Sequence, residues 1–303
     1  MSAPIHVLNV GGGGVDCCAF APTEGESRLA TSSDDGTVQV WQSAADGASW
    51  SSVSTAPRHT GFCLSVAWSP DGRSVASAGE DKRVVVGAID ADASGAVVLE
   101  GHTDLVSACS FSVGGDIVAS ASGDCTTRLW DVRTGECARK LVGHTKGVMS
   151  CNFSPDGLMI VTTDQAGLVK LWEVSTGSEL QTLGQDLDLS WVTSSAWHPT
   201  DGVLATGSWE PAVQLWHHPL LPKVIPMEDN VASIAFAPRG STLAVARANG
   251  CELWDTTLGR ESRVATFDGA HEDEVNCVAW SRSGKLLATA GQDGRVALWS
   301  FVQ

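Results

Sequence analysis

The feature that most constrains this chain is a slot that recurs seven times, each time at the end of a short β-prone run. The slot falls at spacings of 46, 43, 42, 44, 38 and 45 residues, at Trp41, Gly87, Trp130, Trp172, Trp216, Trp254 and Trp299. A regular period of this size indicates a repeat protein, in which each repeat is one structural unit packed against its neighbours. The sequence therefore predicts a single domain, residues 1–303, built from seven similar units.

Each repeat has the sequence pattern of short strands joined by tight turns. It opens with a run of the type V-x-x-V/C-x-F/W, such as CLSVAW at 63–68 or VNCVAW at 275–280. A turn such as Ser-Pro-Asp-Gly at 69–72 usually follows, in which Pro presets φ and Gly accepts a positive φ. A second strand, another turn and a third strand ending at the Trp slot come next. Alternating apolar residues and β-branched enrichment predict an all-β fold.

Three runs carry a family resemblance: DGTVQVW at 35–41, DCTTRLWD at 124–131 and DGRVALW at 293–299. Over its whole length the chain resembles the WD-repeat seven-bladed β-propeller family. The resemblance implies a ring of seven blades, each a four-stranded antiparallel sheet. Within the family, the runs IHVLNV…VDCCAF and LLATAGQDGRVALWSF are most similar to the propeller portion of WD-repeat, SAM and U-box proteins. The sequence contains neither a SAM nor a U-box segment, so no ubiquitin-ligase activity is carried over.

The two ends of the chain complement each other. The last repeat stops just after its third strand, and a spare strand at about 5–10 precedes the first Trp-terminated repeat. We expect this N-terminal strand to complete the last blade and close the ring, since closure limits exposed sheet edges. Deleting residues 1–10 should then cost far more stability than trimming an ordinary terminus.

Charge and cysteine usage limit the class of partner. With 35 acidic residues against 19 Lys and Arg, the net charge is −16, the wrong sign for a nucleic-acid phosphate backbone. A partner with a basic segment suits this field better. The nine cysteines have no paired C-x-x-C spacing, and four of them recur at one inward position: Cys18, Cys63, Cys109 and Cys151. This favours free thiols in a reducing, cytoplasmic setting and no bound metal.

No targeting or membrane segment is expected. The start, MSAPIHVLNV, lacks the basic and long apolar regions of a secretory signal. The sequence has no run of about 18 apolar residues that would span a bilayer.

Two repeats carry a His/hydroxyl/Asp combination that invites a catalytic interpretation. The sets are His102, Ser120, Asp124 and Trp130 in one repeat, and His271, Thr289, Asp293 and Trp299 in another. The family resemblance implies a structural role instead: a buried hydrogen-bonded tetrad that fixes the loops of a blade. Repetition favours this role, because one active site does not need several copies. The prediction is a non-enzymatic protein without a cofactor.

The tetrad is incomplete in several repeats. Repeat one lacks the His, and repeat two has Gly87 at the Trp slot while keeping His59, Ser77 and Asp81. Repeat four has Ala166 where the Asp is expected; repeats five and six have Glu210 and Ala248 there and no Gly-His. Two interpretations stay open: drift in a stable ring, or loops reshaped to hold a partner.

Surplus tryptophans mark the candidate binding surface. The family resemblance implies that certain loop slots face the narrow, top entrance of the channel, where peptides dock. Blades two to five fill these slots with an apolar arc: Phe62, Leu64, Leu105, Met149, Trp191 and Trp209. The other side carries an acidic arc of Asp16, Asp34, Glu80 and Glu274. Arg247 occupies the slot in repeat six that Trp209 occupies in repeat five, and it is included in the candidate surface. Alternatively, Trp191 and Trp209 fill the gap left by the missing His and Asp of blade five.

The predicted function is a non-enzymatic scaffold or adaptor, a monomer within a larger complex, whose top face binds a peptide with an apolar anchor and a basic flank. Aromatic anchors beside charges are typical of interface hot spots. The alternative is a substrate receptor of a cullin-type ubiquitin ligase. Residues 130–133 (WDVR) match the motif by which such propellers engage their adaptor, with Arg133 near the bottom face.

Overall fold

In the computed structural model, residues 3–23, 28–89, 95–185, 190–217, 222–257 and 260–301 are described, and they form seven four-stranded antiparallel sheets. The sheets are arranged in a ring, and the described residues contain no α-helix. The predicted all-β, seven-bladed propeller is confirmed. Blades are numbered in chain order, and strands run from the inside of the ring outwards.

The first four blades are continuous in sequence. Blade one contains β2 (Val15–Phe20), β3 (Arg28–Ser33), β4 (Thr37–Ser43) and β5 (Trp50–Pro57). Blade two contains β6 (Cys63–Trp68), β7 (Ser74–Gly79), β8 (Val84–Ala88) and β9 (Val97–Leu99). Blade three contains β10 (Val106–Phe111), β11 (Ile117–Ser122), β12 (Thr126–Asp131) and β13 (Cys137–Val142). Blade four contains β14 (Val148–Phe153), β15 (Met159–Asp164), β16 (Val169–Glu173) and β17 (Glu179–Leu183).

The remaining blades complete the ring. Blade five contains β18 (Val192–Trp197), β19 (Leu204–Ser208), β20 (Ala212–Trp216) and β21 (Lys223–Pro226). Blade six contains β22 (Ser233–Phe236), β23 (Thr242–Arg247), β24 (Gly250–Asp255) and β25 (Ser262–Asp268). Blade seven contains β26 (Val275–Trp280), β27 (Leu286–Gly291), β28 (Arg295–Ser300) and, from the other end of the chain, β1 (His6–Asn9).

The N-terminal strand closes the ring as predicted. β1 pairs antiparallel with β28, from His6 opposite Leu298 to Asn9 opposite Arg295. Flanking backbone bonds extend the pairing, from Ile5 N to the Leu298 carbonyl (2.7 Å) and from Val10 N to the Gly294 carbonyl (3.0 Å). β26 then lies beside β2, so blade seven packs on blade one.

The core lies between the blades. The second strand of each blade is almost wholly buried, as in β11 or β27, because both of its faces are covered by neighbouring blades. The fourth strands face solvent, and most side chains of β13 are exposed. Three inner-strand tryptophans also join blades, since Trp68, Trp197 and Trp280 donate their indole N–H to carbonyls of the preceding blade (2.8, 3.4 and 3.1 Å).

Candidate functional site: the top face of the ring

We call the end of the ring at which each inner strand begins the top face. In six blades the inner strand has a β-bulge at its second residue, and the bulged residues are Asp16, Leu64, Ser107, Met149, Thr193 and Asn276. A bulge redirects a side chain and commonly lies beside a functional site. Three of the predicted surface residues, Asp16, Leu64 and Met149, therefore occupy one repeated backbone feature.

Polar bulge residues tie each blade to the next. Ser107 donates to the Val148 carbonyl (2.6 Å) and Thr193 to the Val231 carbonyl (2.7 Å). Asn276 donates to the Val15 carbonyl (3.2 Å), across the junction where the ring closes. The bulge slot thus lets a hydrogen-bond donor reach the next blade in three of the six bulged blades.

Asp16 occupies the same slot in blade one with a carboxyl group. Burial, followed by the nearby charge of Asp34, raises the pKa of Asp16 to about 7. Asp34 itself accepts hydrogen bonds from the Gly14 N–H and from Gln292 Nε2, both at 2.9 Å. The acidic arc near the junction of blades seven and one therefore includes a carboxyl that is partly protonated at neutral pH.

The tetrad of blade three is a continuous chain of hydrogen bonds. Trp130 Nε1 donates to Ser120 Oγ (2.8 Å), which lies 2.7 Å from His102 Nε2. His102 Nδ1 lies 2.8 Å from Asp124 Oδ2. Burial lowers the pKa of His102, so the ring is neutral and its Nδ1–H donates to Asp124. Ser120 is fully buried, so it cannot reach a substrate and serves as a structural link.

The carboxylate of Asp124 is stabilised in its charged form. Burial alone would raise its pKa, but hydrogen bonds from Thr126, His102 and the Thr103 N–H outweigh burial and hold the pKa at about 2. The blade-seven tetrad has the same arrangement, with His271 3.1 Å from Asp293 and 2.8 Å from Thr289. Trp299 Nε1 donates to that Thr289 hydroxyl at 3.0 Å.

The tetrad of blade four contains a carboxylate, so the expectation that it lacks the acid is wrong. Ala166 does occupy the expected position, but Asp164, two residues earlier at the end of β15, supplies the carboxylate. Its Oδ2 lies 2.7 Å from His144 Nδ1, and His144 Nε2 lies 2.6 Å from Thr162 Oγ1. Trp172 donates to the same hydroxyl (2.8 Å), so blade four is complete.

In blade two, a large side chain and a glycine have exchanged positions relative to blade three. In blade three Gly101 precedes the tetrad His, and a Cβ there would come within 3.4 Å of the Trp130 ring. In blade two the residue before His59 is Arg58, and the Trp slot holds Gly87. A Cβ on Gly87 would lie 1.9 Å from Arg58 Nη1, so the guanidinium occupies the space of the missing indole. Burial lowers the pKa of Arg58.

Blade six replaces the tetrad with an ionic network around a buried carboxylate. Glu252, 2% exposed, accepts from Trp254 Nε1 (3.0 Å) and from Arg263 Nη1 (2.8 Å). Arg247 Nε lies 3.4 Å from the same carboxylate. The second guanidinium nitrogen of Arg247 binds Asp268 at 2.6 Å. The missing His and Asp are thus offset by charge pairing.

Trp191 and Trp209 form a stacked pair on the top face. Their ring centroids are 5.0 Å apart with an interplanar angle of 14°, and the side chains stay 38% and 53% exposed. The Trp209 N–H donates to the Trp191 carbonyl at 3.2 Å. Trp191 also has a φ of 45°, which is unusual for a bulky residue. Backbone strain of this kind concentrates at functional sites.

Blade five is bonded internally without help from this pair. Trp216 Nε1 donates to Thr206 (2.9 Å), and Gln214 lies 3.1 Å from the same hydroxyl, where other blades place His. Glu210 replaces the Asp by accepting the Ser190 N–H at 3.0 Å. The Trp216 indole and the Glu210 carboxylate of blade five are thus bonded without the two exposed rings.

A cavity of about 230 Å³ adjoins Trp209 and extends over blades six and seven. Its lining includes Glu228, Asp229 and Glu274, together with Arg247. Arg247 is already paired with Asp268 and lies 3.5 Å from Asp229. Glu228 lies 3.8 Å from Arg263. The lining carboxylates still outnumber the one lining guanidinium, so the cavity offers an aromatic wall and net negative charge, an arrangement suited to a basic side chain.

The other predicted apolar residues differ in exposure. Phe62 is 45% exposed, and its N–H donates to Glu80 Oε2 at 3.3 Å, which joins the two arcs in blade two. Leu64, Leu105 and Met149 are half-buried. The exposed aromatic surface is thus concentrated at Phe62 and at the Trp191–Trp209 pair.

Arg133 lies on the opposite side of the ring. β12 begins next to Asp124 at the top and ends at Asp131, whose carboxylate accepts the Arg133 N–H at 2.9 Å. The Arg133 side chain is exposed there.

Several residues of the surface were not predicted from the sequence. Glu228 and Asp229 lie in a loop without repeat periodicity, and only their charge beside Asn230 could have indicated them. Asp164 and Glu252 carry tetrad-like roles from positions off the repeat pattern. Asp164 could have been recognised as an Asp two residues before the Ala at the acid position. The sequence holds no comparable signal for Glu252.

Sequence comparison decides the family. The model of the WD domain, G-beta repeat, matches residues 2–42, 50–86, 96–131, 135–173, 177–217 and 261–300. The chain belongs to the WD-repeat family. The matched segments leave out residues 218–260, which include Arg247, Glu252 and Trp254 of the blade-six network of this WD-repeat protein.

Curated relatives match nearly all of the WD-repeat ring. The chain is 28% identical over 304 residues to the guanine nucleotide-binding protein subunit beta-1 of Nicotiana tabacum, covering 92% of this chain and 79% of that protein. The beta subunit of Solanum tuberosum gives the same figures. Pre-mRNA-processing factor 19 of Oryza sativa subsp. japonica is 31% identical over 121 residues, 39% of this chain and 23% of that protein. This kinship supports a protein-interaction scaffold.

The described residues contain no helix long and apolar enough to cross a membrane. Within the same residues, no group of three or more His, Cys, Asp or Glu side chains is arranged to hold a metal ion.

Proposed function

We propose that this WD-repeat protein is a non-enzymatic adaptor whose top face binds a peptide or loop of a protein partner. The observation that carries the proposal is the exposed, stacked Trp191–Trp209 pair, whose rings take no part in the Trp216–Thr206 and Ser190–Glu210 hydrogen bonds of blade five. Clustered exposed aromatic groups are costly to leave in water and usually mark a binding site. The rings would take the apolar anchor of the partner.

Charge complementarity defines the rest of the occupant. The cavity next to Trp209 contains Glu228, Asp229 and Glu274, and the whole chain carries −16. A Lys or Arg close to the apolar anchor would enter this cavity against the Trp209 face. We therefore propose a partner segment with an aromatic or large aliphatic residue flanked by basic residues. A polyanion such as nucleic acid would be repelled by the same field.

The names of the relatives suit a subunit role. The tobacco and potato proteins are named beta subunits of guanine nucleotide-binding proteins. We propose that this chain is likewise one copy within a larger complex, in the cytoplasm, where its nine free thiols stay reduced.

Affinity purification with matched baits tests the proposal. The wild type should recover a protein that Trp209→Ala does not, whereas Leu180→Ala should behave like the wild type. Leu180 is as exposed as Trp209 (53%), but it lies on an outer strand of blade four. Recovery of the same proteins by all three baits would contradict a binding role for the pair.

A second candidate function uses the opposite face. The exposed Arg133 after the Trp130-Asp131-Val132 run supports contact with the adaptor of a cullin-type ubiquitin ligase. In that case Arg133→Ala should lose a co-purifying ligase adaptor while Trp209→Ala keeps it. Retention of the adaptor by both variants would remove the motif from consideration.

A further inference from the structure

Three cysteines meet where the ring closes. Cys17 and Cys18 are neighbours in β2 of blade one, and Cys277 lies in β26 of blade seven. The Sγ atoms of Cys17 and Cys277 are 3.8 Å apart although the residues are 260 positions apart in sequence. All nine cysteines are free thiols in this structure.

We propose that Cys17 and Cys277 form an oxidation site, at which a hydroperoxide converts the two thiols into a disulfide that joins blade one to blade seven. The sulfurs are in van der Waals contact on two adjacent inner strands, and formation of the disulfide would shorten their separation from 3.8 Å to about 2.05 Å. This site does not depend on the proposed binding function.

The position of the pair is unique in the ring. Both residues are third in their inner-strand runs, and both directly follow a bulged residue. The equivalent residues of the other five blades cannot form a disulfide: Ser65, Ala108, Ser150, Ser194 and Ser233. A cross-blade disulfide at this level of the ring can form only between blades one and seven.

The two thiols are suited to different steps. Hydrogen bonds from the thiols of Cys17 and Cys18 lower the pKa of Cys277 well below its usual range. The hydrogen bond to Cys277, together with burial, raises the pKa of Cys17. We assign the first step to the buried Cys277, whose thiolate is favoured, and the second step to Cys17, whose more exposed sulfur lies 3.8 Å away.

The reaction balances with hydrogen peroxide, the simplest hydroperoxide, as the only oxidant. The Cys277 thiolate attacks one peroxide oxygen, the O–O bond breaks, and the departing hydroxide takes up the proton that Cys277 released, giving a sulfenic acid and water. The Cys17 sulfur then attacks the sulfenic sulfur, and the S–O bond breaks. The leaving oxygen departs as water with the Cys17 proton. Two thiols and one peroxide give one disulfide and two waters.

The cross-link would strengthen the closure of the ring. In the reduced protein, β1 pairing with β28 and the packing of β2 on β26 hold blades seven and one together without a covalent bond. A disulfide between residues 17 and 277 closes a very long loop in the unfolded chain. We expect the melting temperature of the oxidised protein to rise by about 5 °C.

Peptide mapping under non-reducing conditions tests the site. The Cys137→Ser protein, which lacks the exposed Cys137, is treated with stoichiometric hydrogen peroxide and digested with trypsin. The proposal predicts peptide 1–28 linked to peptide 264–282, lost on reduction and absent in Cys17→Ser. Cys18→Ser should keep the link, which assigns it to Cys17.

Three outcomes would overturn the proposal. One is a link that persists in Cys17→Ser and disappears in Cys18→Ser. Another is over-oxidation of Cys277 without any cross-linked peptide. The third is a linked protein whose melting temperature, measured with and without reductant, does not rise.

Discussion

In six blades the third strand carries a Trp whose indole N–H needs a hydrogen-bond acceptor. The residue that provides this acceptor differs from blade to blade. Four blades use a Thr hydroxyl and blade three uses Ser120, at 2.8 to 3.2 Å. Blade six uses the Glu252 carboxylate instead. Since a buried donor without a partner costs about 1–3 kcal/mol, a change at one position of a blade must be matched at another.

The exchange of Arg58 and Gly87 in blade two gives a direct test of such matching. Gly87→Trp alone should lower the free energy of unfolding, because the indole would collide with the guanidinium. Adding Arg58→Gly should restore stability by recreating the Gly-His and Trp pattern of blade three. We expect a coupling energy above about 1 kcal/mol in a double-mutant cycle measured by urea unfolding. Additive effects would show that the two positions do not share one space.

The raised pKa of Asp16 makes stability depend on pH in a defined direction. An ordinary Asp ionises near pH 3.8, whereas Asp16 in the folded protein stays protonated up to about pH 7. Between these values the folded state binds more protons than the unfolded state. The contribution of Asp16 to stability is therefore fully present below about pH 4 and is lost as the pH rises towards 7.

Asp16→Asn should remove the loss of stability that occurs in the wild type as the pH rises towards 7. The amide is neutral at every pH, and it can donate in the bulge slot as Asn276 does in blade seven. We expect the variant to melt at a higher temperature than the wild type above pH 7, with the difference shrinking as the pH falls towards 4. Parallel melting curves of the two proteins across this range would contradict the account.

At the scale of strands and turns, the repeat pattern predicts the fold well and the bulges not at all. Inner strands such as β6 and β26 begin and end at the predicted residues, because alternation and turn residues are local signals. The bulges depend on how blades fit together, which no single repeat encodes. Asp164 was missed for a related reason. Its carboxylate reaches His144 from two residues away, so its place in space differs from its place in the pattern.

The pairing of β1 with β28 was predictable from complementary ends, and it sets a test at the element scale. Leu8 is 6% exposed, whereas its neighbour Val7 is 43% exposed. Leu8→Ala should destabilise the protein by about 2–5 kcal/mol, as is usual for a buried leucine, and Val7→Ala should change little. Deleting residues 1–10 should cost more than Leu8→Ala, because it also leaves the β28 edge unpaired. Equal melting temperatures for the deletion and the full chain would contradict ring closure by β1.

At the scale of the whole molecule, the hydrogen bonds that fix the loops of each blade differ between the two sides of the ring. Blades three, four and seven carry complete tetrads, while blades five and six use other bonds and border the Trp pair and the acidic cavity. The sequence located this side through its surplus tryptophans. It could not show that Glu210 and Glu252 replace the lost groups, because their contacts form only in three dimensions.

Neutralising two carboxylates of the cavity should weaken partner binding without unfolding the ring. Glu228 and Glu274 are exposed carboxylates, so the double change to Gln removes negative charge and little packing. We expect weaker binding of the partner segment and a smaller dependence of its dissociation constant on salt concentration. A salt dependence equal to that of the wild type would place the basic flank elsewhere.

The most direct test is calorimetric titration of the captured partner segment against the wild type, Trp191→Ala, Trp209→Ala and Leu180→Ala, with melting temperatures of all four proteins. Loss of an interface anchor costs about 2 kcal/mol or more, so both Trp variants should bind at least about 30-fold more weakly. Their melting temperatures should stay within about 2 °C of the wild type, and Leu180→Ala should bind normally. Unchanged affinity in the Trp variants, or their unfolding, would show that the stacked pair is not the binding surface.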